Sequence, residues 1–130
     1  MGKEYPAIWI EKSQPTWKKC EIRYTANNAY QIVGGSKPVI ENCRMYKING
    51  NVFRIKNSEP SVRFCKMYEG ELSAFYIEEE SQPFVEACEA FNFKKQAVTV
   101  LMSSPTFKKC KFYDGETNGI SFQKKCWWSI

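Results

Sequence analysis

Cysteine is the side chain in this sequence with the widest choice of chemistry, and its spacing narrows that choice. Cys20, Cys43, Cys65, Cys88 and Cys110 fall 23, 22, 23 and 22 residues apart, and Cys126 stands outside this register. A metal site wants Cys-x-x-Cys clusters, often with histidine, and the chain has neither such a pair nor any histidine. Six cysteines in a short chain usually suggest a disulfide framework. A fixed interval suits a repeated structural slot better than pairing. The expectation is a ladder of free thiols packed as small hydrophobes, with no metal and no cofactor.

Acid chemistry has little to work with. Asp114, in the turn-like "YDGETNG", is the only aspartate, and Glu78, Glu79 and Glu80 form a run that reads as solvated charge at a corner. Without histidine a histidine-based triad is impossible. The chain is therefore expected not to be an enzyme. Residual activity would need Glu69, Glu71 or Asp114 to converge with a basic residue.

The elements that hold these residues repeat with the cysteines. "SQPTWKKCEI", "SKPVIENCRM", "SEPSVRFCKM", "SQPFVEACEA" and "SSPTFKKCKF" share Ser-x-Pro, then a cysteine five residues after the proline. Before each lies a short alternating segment with apolar residues at its second and fourth positions: Ile8/Ile10, Tyr30/Ile32, Phe53/Ile55, Phe75/Ile77 and Val98/Val100, with Ile120/Phe122 as a sixth. Alternation resumes after the proline (Trp17, Ile40, Val62, Val85, Phe107) and again after the cysteine (Ile22, Met45, Met67, Ala90, Phe112). Period-two alternation marks strands with one buried face. The prolines fit strand starts at corners, because proline cannot donate to a central ladder. Each repeat thus holds three short strands and no helix, and it buries its apolar face only by stacking on its neighbours. Leucine-rich repeats share the period, but the chain has only Leu72 and Leu101. Crossovers between parallel strands are right-handed in nearly all cases. The fold expected is all-β: a right-handed parallel β-helix solenoid of about five coils of 22–23 residues, with three short strands each. It forms a single domain over 1–130, with 1–12 as an N-terminal cap and first strand, 13–122 as repeats and 123–130 as a C-terminal cap.

The pattern Ser-x-Pro-x-φ-x-x-Cys-x-φ, with φ apolar, resembles the right-handed β-helix repeats of pectate-lyase-like proteins and carbohydrate-associated modules, found also in some F-box adaptors. The resemblance runs from about Ala7 to Phe122. It implies the fold and leaves function open, because these repeats encode packing rather than chemistry.

Function must then lie in what faces outward. Lys18, Glu41, Arg63, Glu86 and Lys108 alternate in sign up the stack, and Glu21, Arg44, Lys66, Glu89 and Lys111 form a second charged row. Both read as a salt-bridged, solvated face, with a charged docking face as the alternative. Three residues past the cysteines, Arg23 is followed by Tyr46, Tyr68, Phe91 and Tyr113. This aromatic row is either stacked under the following turn or an exposed strip for a partner, since contiguous exposed apolar surface marks interaction sites. Trp9 and Tyr76 occupy an outward position on another face.

Composition bounds the partner. A net charge of +5, with basic residues dispersed among glutamates, gives no one-sided stripe for phosphate, so nucleic acid is not expected. No apolar run reaches the ~20 residues of a membrane span. The first residues lack the apolar stretch of a secretory signal, and Pro6 stands where myristoylation wants Ser or Thr. A cytoplasmic protein is expected. The leading function is a non-catalytic, protein-binding solenoid that docks a protein partner on Tyr46, Tyr68, Phe91 and Tyr113. The alternatives are a carbohydrate-binding module using the same row, and a structural protein that associates end to end.

Overall fold

The computed structural model describes residues 6–113 and 115, and the backbone of 120–123. Strands β1 (Ile8–Glu11), β2 (Thr16–Lys18) and β3 (Glu21–Thr25) make the first coil, and β4 (Tyr30–Val33), β5 (Val39–Glu41) and β6 (Arg44–Ile48) the second. The third holds β7 (Phe53–Lys56), β8 (Ser61–Arg63) and β9 (Lys66–Gly70), and the fourth β10 (Phe75–Glu78), β11 (Phe84–Glu86) and β12 (Glu89–Phe93). The fifth comprises β13 (Val98–Leu101), β14 (Thr106–Lys108) and β15 (Lys111–Tyr113), and β16 (Ile120–Gln123) follows. Equivalent strands pair in parallel as sheets β1-β4-β7-β10-β13-β16, β2-β5-β8-β11-β14 and β3-β6-β9-β12-β15. The fold is the parallel solenoid of three strands per coil that the repeat predicts. Of the caps expected within 1–12 and over 123–130, residues 1–5 and 124–130, with Cys126, lie outside the described residues.

Inward residues form the rows expected. Tyr30, Phe53 and Phe75 stack with ring centroids 4.9 and 5.1 Å apart, beside rows led by Ile32, Ile40 and Met45. Burial alone contributes roughly 1.5–3 kcal/mol for each such side chain. Burial also pushes the Tyr30 hydroxyl above its ordinary pKa.

The corners explain the repeat's polar letters. At the first corner Ser36, Ser58, Ser81 and Ser103 are buried. Each hydroxyl donates to a carbonyl of its own coil, as Ser58 does to Lys56 at 3.0 Å. Each also accepts the N–H of the serine one coil earlier, as Ser58 does from Ser36 at 3.2 Å. Those amides would otherwise be buried without a partner. The prolines follow: Pro15, Pro38, Pro60 and Pro83 each offer a carbonyl to the next coil at 2.9 Å, from a position where no N–H is required of them.

The second corner turns through a left-handed residue, Lys19, Asn42, Phe64, Ala87 or Lys109, immediately before each cysteine. Each of the five thiols donates to the carbonyl two residues back, at 3.3–3.4 Å, and Cys20 gives its N–H to the Cys43 sulfur at 3.4 Å. Cysteine here holds its corner as serine holds the first. All five are free. At the third corner the Asn28 side-chain carbonyl accepts the Asn51 N–H at 2.7 Å, and Asn51 accepts that of Ser73 at 3.0 Å.

Candidate functional site

The face built by β3, β6, β9, β12 and β15 carries the aromatic row. Register places Arg23, Tyr46, Tyr68, Phe91 and Tyr113 side by side in consecutive coils. Tyr46, Tyr68, Phe91 and Tyr113 lie face to face, with centroids 4.9, 5.1 and 5.0 Å apart and planes within 1°, 7° and 10° of parallel. The spacing follows from the strand separation in a sheet, ~4.8 Å. Tyr46, Tyr68 and Phe91 are half-buried and Tyr113 is exposed. Arg23 closes one end of the row: its guanidinium donates to the Tyr46 hydroxyl at 3.3 Å, which donates to Glu21 at 2.9 Å. The Tyr46 contact raises the Arg23 pKa.

One residue further on, the alternation of sides breaks. Tyr24, Lys47, Glu69 and Asn92 sit in the left-handed region at φ 57°, 54°, 56° and 60°, inside their strands. The bend turns two consecutive side chains outward and sends Ile48, Gly70 and Phe93 back into the core. Beside the aromatic row it opens a groove of about 610 Å³, lined by Tyr24, Lys47, Glu69, Glu71, Asn92 and Lys94 among others. Tyr24 is 67% exposed and meets Tyr46 edge-on at 6.4 Å. Ion pairs cross the groove walls, Lys47 to Glu69 at 3.6 Å and Lys94 to Glu71 at 3.1 Å. The sequence pattern singles out the aromatic row but not Tyr24, Lys47, Asn92 or Lys94, because no glycine marks the bend.

The remaining candidates divide between this face and the other two. Glu69 and Glu71 both line the groove, each beside a lysine, and Asp114 lies outside the described residues. In the Glu78–Glu80 run, Glu78 is held by Arg54 through two guanidinium nitrogens at 2.6 and 2.7 Å, and Glu79 faces Lys56 at 3.9 Å. The alternating charge row is in register, with Lys18 4.0 Å from Glu41 and Arg63 3.5 Å from Glu86. The second row pairs Glu21 with Arg44 at 3.5 Å and Lys66 with Glu89 at 3.9 Å. Trp9 is exposed on the first sheet, and the Arg54 guanidinium lies 4.9 Å from the centre of the Tyr76 ring. Among the described residues no three His, Cys, Asp or Glu side chains are grouped to hold a metal ion, and no helix is long and apolar enough to cross a membrane.

Compared with known families, residues 6–130 match the one described as right handed beta helix region. The chain belongs to the right-handed β-helix family. No curated protein and no solved structure matches it. Right-handed β-helix proteins include enzymes of the pectate-lyase-like kind as well as non-enzymes. Membership in this family therefore gives the solenoid its hand, and the lateral faces must supply the rest.

Proposed function

We propose that this right-handed β-helix is a non-catalytic, cytoplasmic protein-binding module. It docks a protein partner on the face made by Tyr46, Tyr68, Phe91 and Tyr113 and the groove beside them. The observation that carries this reading is the face-to-face stacking of the row at 4.9–5.1 Å. Stacked rings cover one another's faces and turn edges and hydroxyls outward. Sugar binding by aromatic stacking needs an open ring face, so the geometry favours a protein over a carbohydrate. Tyrosine suits protein interfaces because it combines apolar area with a polar tip. The solenoid holds the row in place before docking, so little conformational entropy is lost. The lack of histidine and the lysine-paired glutamates of the groove support a binding rather than a catalytic role.

The test is affinity capture from native lysate with mass-spectrometric identification. Wild type is compared with a Tyr46→Ser, Tyr68→Ser, Tyr113→Ser variant and an Arg63→Ser, Glu86→Ser control, each shown to be folded by circular dichroism. A protein held by wild type and the control, but lost by the tyrosine variant, supports the reading. Identical captures by all three overturn it. Binding of oligosaccharides dependent on the same tyrosines moves the assignment to the carbohydrate reading.

A further inference from the structure

At the third corner the equivalent positions of successive coils are Asn28, Asn51, Ser73 and Gln96. Three residues after each, on the outward row of the first sheet, stand Gln31, Arg54, Tyr76 and Thr99. The first pair satisfies itself, because the Asn28 Nδ2 donates to the Gln31 side-chain carbonyl at 2.8 Å. The second pair cannot. Asn51 accepts the Ser73 N–H on its Oδ1 at 3.0 Å, which leaves the Nδ2 donor as its other end. Arg54 offers no acceptor, and its guanidinium is turned to Glu78. The Asn51 Nδ2 therefore has no hydrogen-bond partner among the described residues, although Asn51 is only 6% exposed.

Asn51 lines a hollow of about 310 Å³ between this corner and the first sheet. Register puts Arg54 and Thr99 on opposite sides of Tyr76, and Arg54 covers its own side of the ring at 4.9 Å. Thr99 is short and leaves room on the other. Around Asn51 the wall is rich in donors. The buried Ser73 hydroxyl shares one hydrogen bond with that of Thr99 at 3.2 Å, which uses one of their two protons and leaves the second to be donated. Gln96 adds an amide, and Lys95 adds an ammonium that makes no ion pair among the described residues. No carboxylate lines the hollow, and Glu71 and Glu78 close by are held by Lys94 and Arg54. The remaining wall is apolar: Leu72, Leu101 and the Tyr76 ring.

We propose that this hollow binds a carboxylate carried on a short apolar group. A nine-tenths-buried amide without an acceptor is costly, and a carboxylate supplies acceptor oxygens while bringing no donor of its own. Lys95 gives the opposite charge, Asn51 and the hydroxyl pair give directional bonds, and Leu72, Leu101 and Tyr76 receive the apolar end. The volume stands at the lower end of ligand pockets, ~300–1,000 Å³, so the group is small. Inorganic phosphate would leave the apolar wall bare. Two sources carry this chemistry, a free branched-chain acid and the last residue of a peptide. The site lies on a different face from the tyrosine row and uses none of it.

The test is a titration of the folded full chain followed by proton–nitrogen NMR, with isocaproate, N-acetyl-leucine, isocaproamide, acetate and inorganic phosphate as probes. Isocaproate and N-acetyl-leucine are expected to shift the Asn51 side-chain amide and the backbone amides of Ser73, Gln96 and Thr99, leaving Tyr46 and Tyr68 unmoved. The tighter of the two names the source, free acid or peptide end. Lys95→Gln removes the charge and should weaken binding about tenfold. Asn51→Asp keeps the acceptor for Ser73, removes the donor and should abolish binding. Lys109→Gln, which alters an exposed lysine at another corner, should change nothing. If Asn51→Asp fails to fold, the wild-type titration and Lys95→Gln decide. The proposal is overturned if isocaproamide binds as tightly as isocaproate, if acetate or phosphate matches the two apolar acids, if the shifts fall outside the hollow, or if Lys95→Gln binds as wild type does.

Discussion

At the scale of single residues, the corner serines and cysteines perform one task with different atoms. Each closes its own turn by donating to a nearby carbonyl, and Ser36, Ser58, Ser81, Ser103 and Cys43 also accept an amide of the coil before them. The Ser58 hydroxyl accepts from Ser36 at 3.2 Å in a buried setting, so Ser58→Ala leaves the Ser36 N–H without its partner. Stranding a buried donor costs about 1–3 kcal/mol, and urea denaturation should show a loss of that size. Cys110 differs from the corner serines in carrying a proton it can lose near neutrality. Its pKa, lowered to about 7 by the Cys88 hydrogen bond, means that it is mostly thiol at pH 6 and mostly thiolate at pH 8. Iodoacetamide labelling of Cys110, followed by mass spectrometry, should therefore rise through a midpoint near 7 and level off above it. A lower pKa also weakens the nucleophile, so the gain over an unstructured cysteine at pH 7 is only about threefold. A midpoint at the ordinary thiol value would overturn this expectation.

At the scale of strands, the third strand of each coil combines legible and illegible features. Alternation identifies the inward Met45 and Met67 and the outward Tyr46 and Tyr68, and register follows because every repeat carries the same letters. The pattern stops being readable at Tyr24, Lys47, Glu69 and Asn92, where the backbone enters the left-handed region without glycine. Such residues are strained locally, by about 1–2 kcal/mol, and only the stack above and below holds them there. Nothing in a Tyr, a Lys, a Glu and an Asn announces that demand, so the groove is invisible in the sequence. The role of serine is likewise hidden, since repetition shows that it matters but not which amide it serves. Beyond the bend the inward slot runs Ile48, Gly70, Phe93, and the Phe93 ring occupies the space a Gly70 side chain would need. A Cβ added at Gly70 would lie 2.3 Å from a Phe93 ring carbon. Gly70→Ala should therefore destabilise by about 1–3 kcal/mol, the usual cost of overpacking, and Phe93→Leu in the same chain should recover part of it. In the internal stack, Phe53→Ala removes the middle ring between Tyr30 and Phe75 and should cost about 3–5 kcal/mol. Both are read from urea midpoints, provided the slope of the transition stays constant.

At the scale of the whole molecule, each coil touches only the coils on either side, so stability is close to a sum of coil and interface contributions. That gives length a particular meaning. Removing residues 44–65 joins Cys43 to Lys66, which reproduces the Cys65–Lys66 junction and returns each remaining strand to an equivalent neighbour. The aromatic row closes to Arg23, Tyr68, Phe91 and Tyr113, and the serine corner to Ser36 beside Ser81. The charge pairing suffers: Glu41 then lies beside Glu86 where Arg63 stood between them, and Glu69, Glu78 and Glu79 lose Lys47, Arg54 and Lys56. Like charges opposite each other destabilise by roughly 0.2–1 kcal/mol, a small loss beside that of the missing coil. Removing 50–60 instead takes out half a coil. It deletes β7 and brings first-sheet positions against second-sheet ones, with polar corners facing apolar rows. The expected outcome is that the 22-residue deletion folds with a β-type circular dichroism spectrum and a lower unfolding midpoint, while the half-coil deletion does not fold at all. Failure of both would mean that the coils are bound to one another by contacts beyond their nearest neighbours. Equal folding of both would mean that the register of 22–23 residues is not what holds the stack together.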